Sequence, residues 1–281
     1  MKNKAIILIF ICHLLYLPLQ AQYEEFKVNV TGKGEPVLLI PGFTCTAAVW
    51  DETVNRLSQN YECHAFTLAG FGGVPPVSFP WLPKIKDAML KYVKDKKLYN
   101  SVVIGHSLGG TLALWLSIEE DTLFKKLILI DALPSVGALM IPDFKPETLA
   151  YDNSYNKKLL EMEEKDFSAM AGKMASFMAL NSNVHSNLIS WILESDRETY
   201  VKGYTDLLKL DLRNEISQIQ IPVTILAATY PNKEFMQVQY QKQFAKLKHK
   251  RVIYIADSAH FIMYDQPDRF ISTLISELTM L

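Results

Sequence analysis

The sequence predicts an α/β fold: a mostly parallel sheet flanked by helices, interrupted by one helical insertion. Short apolar runs recur along the chain with a helical segment between most of them. Strands that alternate with helices are the pattern of a parallel sheet covered on both faces. The alternation stops between Leu133 and about Glu194, where no β-branched apolar run interrupts a long stretch rich in Met, Leu, Lys and Glu. A chain of 281 residues, 49 % apolar and 21 % charged, suits one globular domain carrying such an insertion.

The elements follow in order. Met1 to Ala21 has a basic start (Lys2, Lys4), an apolar run from Ala5 to Leu17, and a short end with Pro18 and Ala21. That layout is a secretory signal peptide, and the run is shorter than the ~20 residues that span a bilayer. The expectation is cleavage after Ala21 and an exported protein, periplasmic or secreted, with no stable insertion in the membrane. Residues 22–281 then form the mature domain. Phe26 to Val30 alternates apolar and polar residues, and Gly32 and Gly34 turn the chain into the buried run Pro36 to Ile40. Further strands are expected at Cys63 to Leu68, Ser101 to Ile104, Lys126 to Ile130, Pro222 to Ala227 and Arg251 to Ala256. Inside the insertion, Phe167, Met170, Ala171, Met174, Phe177 and Met178 are expected to share one helical face. Such a face packs onto the main domain or forms a substrate wall, for which methionine is adaptable.

Charge and cysteine content exclude several functions. Lys plus Arg total 29 against 30 for Asp plus Glu, so no cationic excess is available for a nucleic-acid backbone or an anionic membrane surface. Without Cys12 of the leader, Cys45 and Cys63 remain, and an oxidising compartment raises the question of a disulfide. Cys45 follows the carboxyl end of one strand and Cys63 opens the next parallel strand at its other end. Their Cα atoms should lie beyond the ~7 Å bridging limit, which predicts free thiols. No histidine pair has ligand spacing, and the two cysteines do not make a zinc site. Gly70-Phe71-Gly72-Gly73 lacks the spacing of a dinucleotide fingerprint and reads as an active-site loop. No metal and no cofactor is called for.

The chemistry is carried by Gly105-His106-Ser107-Leu108-Gly109-Gly110, which follows the strand Ser101 to Ile104 and precedes the helical stretch Thr111 to Ile118. In isolation a GxSxG could be a helix-capping serine in a glycine-rich turn. The strand before it and the helix after it give it the setting of a nucleophile elbow. Ser107 is there held in a strained conformation, and Gly105 and Gly109 remove side chains that would collide with the neighbouring strand and helix.

On these residues the chain resembles the α/β-hydrolase superfamily, from about Phe26 to the carboxyl end, with the insertion of about residues 133–194 where that family carries its cap. The resemblance implies that the loop after Val37 to Ile40, here Pro41-Gly42-Phe43-Thr44, completes an oxyanion hole. Many members have His-Gly at this corner where this chain has Pro41-Gly42, but the donor is a main-chain amide. The amides of Leu108 and Phe43 are the donors implied, ahead of Thr44. Thr44, Met174 and Phe177 are assigned to the substrate pocket.

A serine hydroxyl needs a base within hydrogen-bond reach. His260, in Asp257-Ser258-Ala259-His260-Phe261 beyond the last strand, stands where the family places its histidine. For the acid, much of the family uses the loop after the strand that is here Pro222 to Ala227, but Ala228 to Glu234 holds no aspartate and only Glu234 as a carboxylate. Other members take it from the end of the preceding strand, here Ile130-Asp131-Ala132, and the reading assigns Asp131. The function implied is a serine hydrolase that cleaves carboxylic esters of small apolar substrates through an acyl-enzyme. A non-catalytic ligand-binding relative is the alternative from another class; such a relative would be expected to lack one of these groups. Lyases, carbon-carbon hydrolases and aminopeptidases use the same serine and stay open. Relatives with an aspartate or cysteine nucleophile do not fit Ser107.

Overall fold

The computed structural model describes residues 23–280. The signal peptide expected at residues 1–21 lies outside them. The chain runs β1 (Phe26–Thr31), β2 (Glu35–Ile40), α1 (Asp51–Leu57), β3 (Tyr61–Leu68), α2 (Trp81–Asp95), β4 (Ser101–His106), α3 (Leu108–Glu119) and β5 (Phe124–Ile130). Five helices follow without a strand among the described residues: α4 (Val136–Met140), α5 (Ser154–Leu160), α6 (Glu164–Met178), α7 (His185–Leu193) and α8 (Tyr204–Lys209). The chain closes with β6 (Val223–Ala228), α9 (Lys233–Gln243), β7 (Lys250–Ile255), α10 (Ile262–Asp265) and α11 (Pro267–Thr279).

The seven strands form one sheet in the order β1-β3-β2-β4-β5-β6-β7. Only β1 is antiparallel, at the edge; every other neighbouring pair is parallel. The apolar runs explain the two covered faces. Leu38, Val103, Leu127 and Leu129 point to the core shared with α2 and α3, while Val37, Leu39, Ile104 and Ile128 point to the core shared with α1 and α11. Because the strands are parallel, the carboxyl ends of β2, β4, β5, β6 and β7 share one rim, where open α/β sheets place their sites. Cys45 and Cys63 are free and buried. Among the described residues no helix is long and apolar enough to cross a membrane.

Two details differ from the sequence reading. It ends the insertion at Glu194, but helices continue to Lys209. There the Asp206 carboxylate accepts the amides of Trp81 (2.7 Å) and Leu82 (3.1 Å), tying α8 to the start of α2. The reading also puts Phe177 on the packed face of α6. That face is Phe167, Ala171 and Ala175, with Met170 and Met174 beside it. Phe177 is 61 % exposed, because it stands about 160° around the helix from Ala175 of the packed face. Its ring instead meets Tyr230 at 6.0 Å.

At the opposite rim, Lys126 and Glu277 form a buried ion pair at 2.9 Å, joined by the Thr224 hydroxyl (2.6 Å) and Arg251 (2.7 Å). Burial raises the affinity of Glu277 for a proton, and the bonds from Thr224, Lys126 and Arg251 outweigh it, so the carboxyl titrates below its ordinary range. A carboxyl lowered in the folded state contributes stability above its unfolded pKa, and this is lost as pH falls through the folded value. Glu277→Leu, which leaves Lys126 buried beside an apolar side chain, is expected to lose about 3–5 kcal/mol at neutral pH. Chemical denaturation is expected to show that deficit narrowing below the ordinary carboxylate range.

Candidate active site

The central strand β4 delivers the nucleophile candidate to the rim. Ser107 has φ 52° and ψ −119°, a left-handed conformation that costs a non-glycine residue energy and is tolerated where the surroundings enforce it. Its amide donates to the Ile130 carbonyl at 2.9 Å, and its carbonyl accepts from Gly110 (2.9 Å) and Thr111 (3.1 Å). The glycine after the elbow is required by close approach: a Cβ on Gly109 would collide with the Ile40 carbonyl. The amide of Leu108, the first residue of α3, stands outside the helical ladder.

Asp131 follows β5 directly, also with positive φ (43°). Its Oδ2 accepts from His260 Nδ1 at 2.6 Å, and its Oδ1 accepts from the Tyr240 hydroxyl at 2.7 Å and the Ala228 amide at 3.0 Å. A carboxylate only accepts, so His260 Nδ1 carries the proton and Nε2 keeps the lone pair a general base needs. Burial pushes the Asp131 carboxyl up, but the bonds from His260, Tyr240 and Ala228 prevail and hold it below the usual carboxylate range. Glu234 is exposed in the first turn of α9, which the Asn232 side chain caps.

The loop carrying His260 is fastened on several sides. Ser258 Oγ donates to the Ile255 carbonyl at 2.8 Å, and the Ala259 amide donates to Asp265 Oδ2 at 2.7 Å. Asp265 Oδ1 also accepts the amides of Leu180 and Asn181, both at 2.9 Å, just past α6. The Phe261 amide donates to the Met178 carbonyl at 3.0 Å. The end of α6 is thereby bonded to the histidine loop.

In Pro41-Gly42-Phe43-Thr44, Thr44 is buried with φ 66°, strained for a β-branched residue. The Phe43 ring packs against Phe71 (5.0 Å), Trp81 (6.1 Å), Tyr200 (5.9 Å) and Tyr204 (5.3 Å). Phe71 brings the Gly70 to Gly73 loop beside it. Tyr200 lies within, and Tyr204 directly follows, a π-helical turn, Thr199–Gly203, of the kind frequent at functional sites. Met174 lies in the same cluster and accepts a bond from the Tyr200 hydroxyl at 3.4 Å. Of the three pocket residues assigned from sequence, Met174 lies in the same apolar cluster as Phe43, Thr44 is buried within the loop, and Phe177 is exposed against Tyr230. Sequence reasoning missed Tyr200, Tyr204, Tyr240 and Asp265. The i, i+4 spacing of Tyr200 and Tyr204 was a signal in principle, but it equally fits a packed helix.

A family model described as "Alpha/beta hydrolase family" matches residues 37–273. The chain belongs to this family. Among curated proteins, this alpha/beta hydrolase is similar to the pimeloyl-[acyl-carrier protein] methyl ester esterase of Vibrio atlanticus (strain LGP32), 21 % identical over 88 % of this chain and 96 % of that protein. The protein of the same description from Aliivibrio fischeri (strain MJ11) is 25 % identical, covering 86 % and 93 %. An esterase from Exiguobacterium antarcticum superposes with a TM-score of 0.76 at 18 % identity, covering 90 % of this chain and 95 % of that one. An enol-lactonase from Burkholderia xenovorans LB400 gives 0.75 at 15 %, covering 90 % and 96 %. At such identity these structures establish the shared fold.

The hydrogen-bond network ranks the carboxylates of this hydrolase. Asp131→Asn is expected to lower turnover of an ester by about 10⁴-fold, the scale of losing a triad acid, and Glu234→Gln to leave it near the parental value. Tyr240→Phe removes one of three donors and is expected to cost less than Asp131→Asn. Steady-state kinetics on one p-nitrophenyl ester checks all three.

Proposed function

We propose that the chain is an exported serine hydrolase that cleaves carboxylic esters of small apolar acyl groups through an acyl-enzyme. The observation that carries it is the 2.6 Å bond from His260 Nδ1 to Asp131, at the same sheet rim as the strained Ser107. Ser107 Oγ attacks the ester carbonyl while His260 Nε2 takes its proton. The oxyanion of the tetrahedral intermediate is held by the amides of Leu108 and Phe43, and the positive end of α3 adds to that field. The intermediate collapses with the proton passing from His260 to the departing alcohol. A water activated by the same nitrogen then frees the acid and restores Ser107. The scheme calls on no metal or cofactor.

The substrate class rests on two supports. The curated relatives are described as methyl ester esterases, with a small alcohol as the leaving group. The wall beyond Phe43 is aromatic and thioether: Tyr200, Tyr204 and Met174, suited to an apolar acyl chain. Export rests on the basic, apolar and small-residue order of residues 1–21.

Ser107→Ala is expected to fold normally, to lose fluorophosphonate labelling, and to lower ester turnover by several orders of magnitude, since triad knockouts elsewhere cost ~10⁶-fold. Labelling of the variant at the parental level would refute Ser107 as nucleophile. Met174→Lys is expected to raise KM for p-nitrophenyl esters more as the acyl chain lengthens, and equal effects across the series would remove it from the pocket. Export is tested by sequencing the amino terminus of the protein recovered outside the cytoplasm, expected to start at Gln22.

A further inference from the structure

His106, the residue before the nucleophile, is fully buried where three parts of the site meet. Its Nε2 lies 3.0 Å from the main-chain carbonyl oxygen of His260. A carbonyl only accepts, so Nε2 carries the proton and donates, and Nδ1 holds the lone pair. Nδ1 is buried with no hydrogen-bond partner among the described residues. It faces the oxyanion loop: a Cβ on Gly42 would lie 2.7 Å from it and 3.3 Å from the Cβ of Ser107. The ring packs at 4.6 Å from the imidazole of His260 and 4.7 Å from Phe261. Burial, with the neighbouring His260 second, lowers the His106 pKa to about 3, so the ring stays neutral near pH 7 and its single N–H points at the His260 carbonyl. A leucine would fill the space without leaving a buried acceptor unpaired, so packing alone does not account for an imidazole here.

We propose that His106 is a positioning residue: its Nε2–H holds the main chain of His260 so that this residue, tied to Asp131 through Nδ1, keeps Nε2 aimed at the nucleophile. The proposal rests on the reading of His260 as the base for Ser107. Asp131 fixes the His260 side chain and His106 fixes its carbonyl, while Asp265 holds the preceding amide of Ala259. Without the His106 donor, the carbonyl loses its partner and the base gains freedom beside a nucleophile whose backbone is held by Ile130, Gly110 and Thr111. Proton transfer depends steeply on that geometry, whereas substrate binding does not involve His106.

The test compares His106→Gln, His106→Asn and His106→Leu in the full chain. The glutamine amide nitrogen reaches the position of Nε2, and that of asparagine falls short at Nδ1. For p-nitrophenyl butyrate, Asn and Leu are expected to lower kcat by about 10- to 100-fold, the scale of a small misplacement of a reacting group, with KM little changed. Gln is expected to recover most of the parental kcat. Asn and Gln carry the same amide, so they decide the matter at matched thermal midpoints even if the leucine variant folds poorly. Parental kcat in Asn, or a Gln variant as slow as Asn, overturns the proposal. Fluorophosphonate labelling of the parent separates the two claims: an unlabelled parent overturns the hydrolase reading and His106 with it, whereas a labelled parent with equally active variants overturns His106 alone.

Discussion

Three donors converge on the Asp131 carboxylate, and the geometry of the site depends on them. Tyr240 comes from α9, the Ala228 amide from the end of β6, and His260 from the loop after β7. Each is brought to the same rim of the sheet by a different element, Tyr240 from the face of α2 and α3 and the His260 loop beside the face of α1 and α11, so the carboxylate joins what the chain keeps far apart. A buried carboxylate is costly unless its lone pairs are satisfied. Here the satisfaction is complete enough to favour the ionised form, which lets Asp131 orient an imidazole rather than share a proton with it. Positive φ at Asp131 turns its side chain out of the strand direction, and the Asp131 amide is held by the Leu226 carbonyl at 2.8 Å.

Strain gathers at this rim. Thr44, Ser107, Asp131 and Asp257 all have left-handed backbones, and they end or follow β2, β4, β5 and β7. A parallel sheet accounts for this arrangement, because one layer of carboxyl ends brings Ser107, Asp131, His260 and the Pro41 to Thr44 loop to the same rim. The opposite rim has the reverse character, with the Lys126, Glu277, Thr224 and Arg251 cluster tying β5, β6 and β7 to α11. Chemistry and ionic anchoring are thus separated by the length of the strands.

The helical insertion is fastened to both sides of the site. Asp206 binds α8 to the start of α2, and Asp265 binds the end of α6 to the loop of His260. Between these ties, the rings of Tyr200 and Tyr204 pack against Phe43, and Met174 lies in the same apolar cluster. The apolar cluster is therefore continuous with the Pro41 to Thr44 loop, and the seating of α6 is coupled to the His260 loop through Asp265 as well as through packing.

The sequence by itself determined the strand order of appearance, the parallel class, the helical insertion and the elbow at Ser107. All of these are short-range: apolar runs with period two, helical segments between them, and a glycine motif whose meaning comes from the strand before and the helix after. Family resemblance added His260 and Asp131, which lie 129 residues apart. The tertiary structure alone decided which carboxylate meets His260, that Tyr240 from 109 residues away holds it, that Asp265 clasps the insertion, and that Phe177 turns outward while Tyr200 and Tyr204 turn in. A tyrosine in a helix or an aspartate in a turn has the same local signature whether it packs, caps or orients a catalytic group. The difference lies in what folding places opposite it, and the neighbouring residues in the chain carry no record of that.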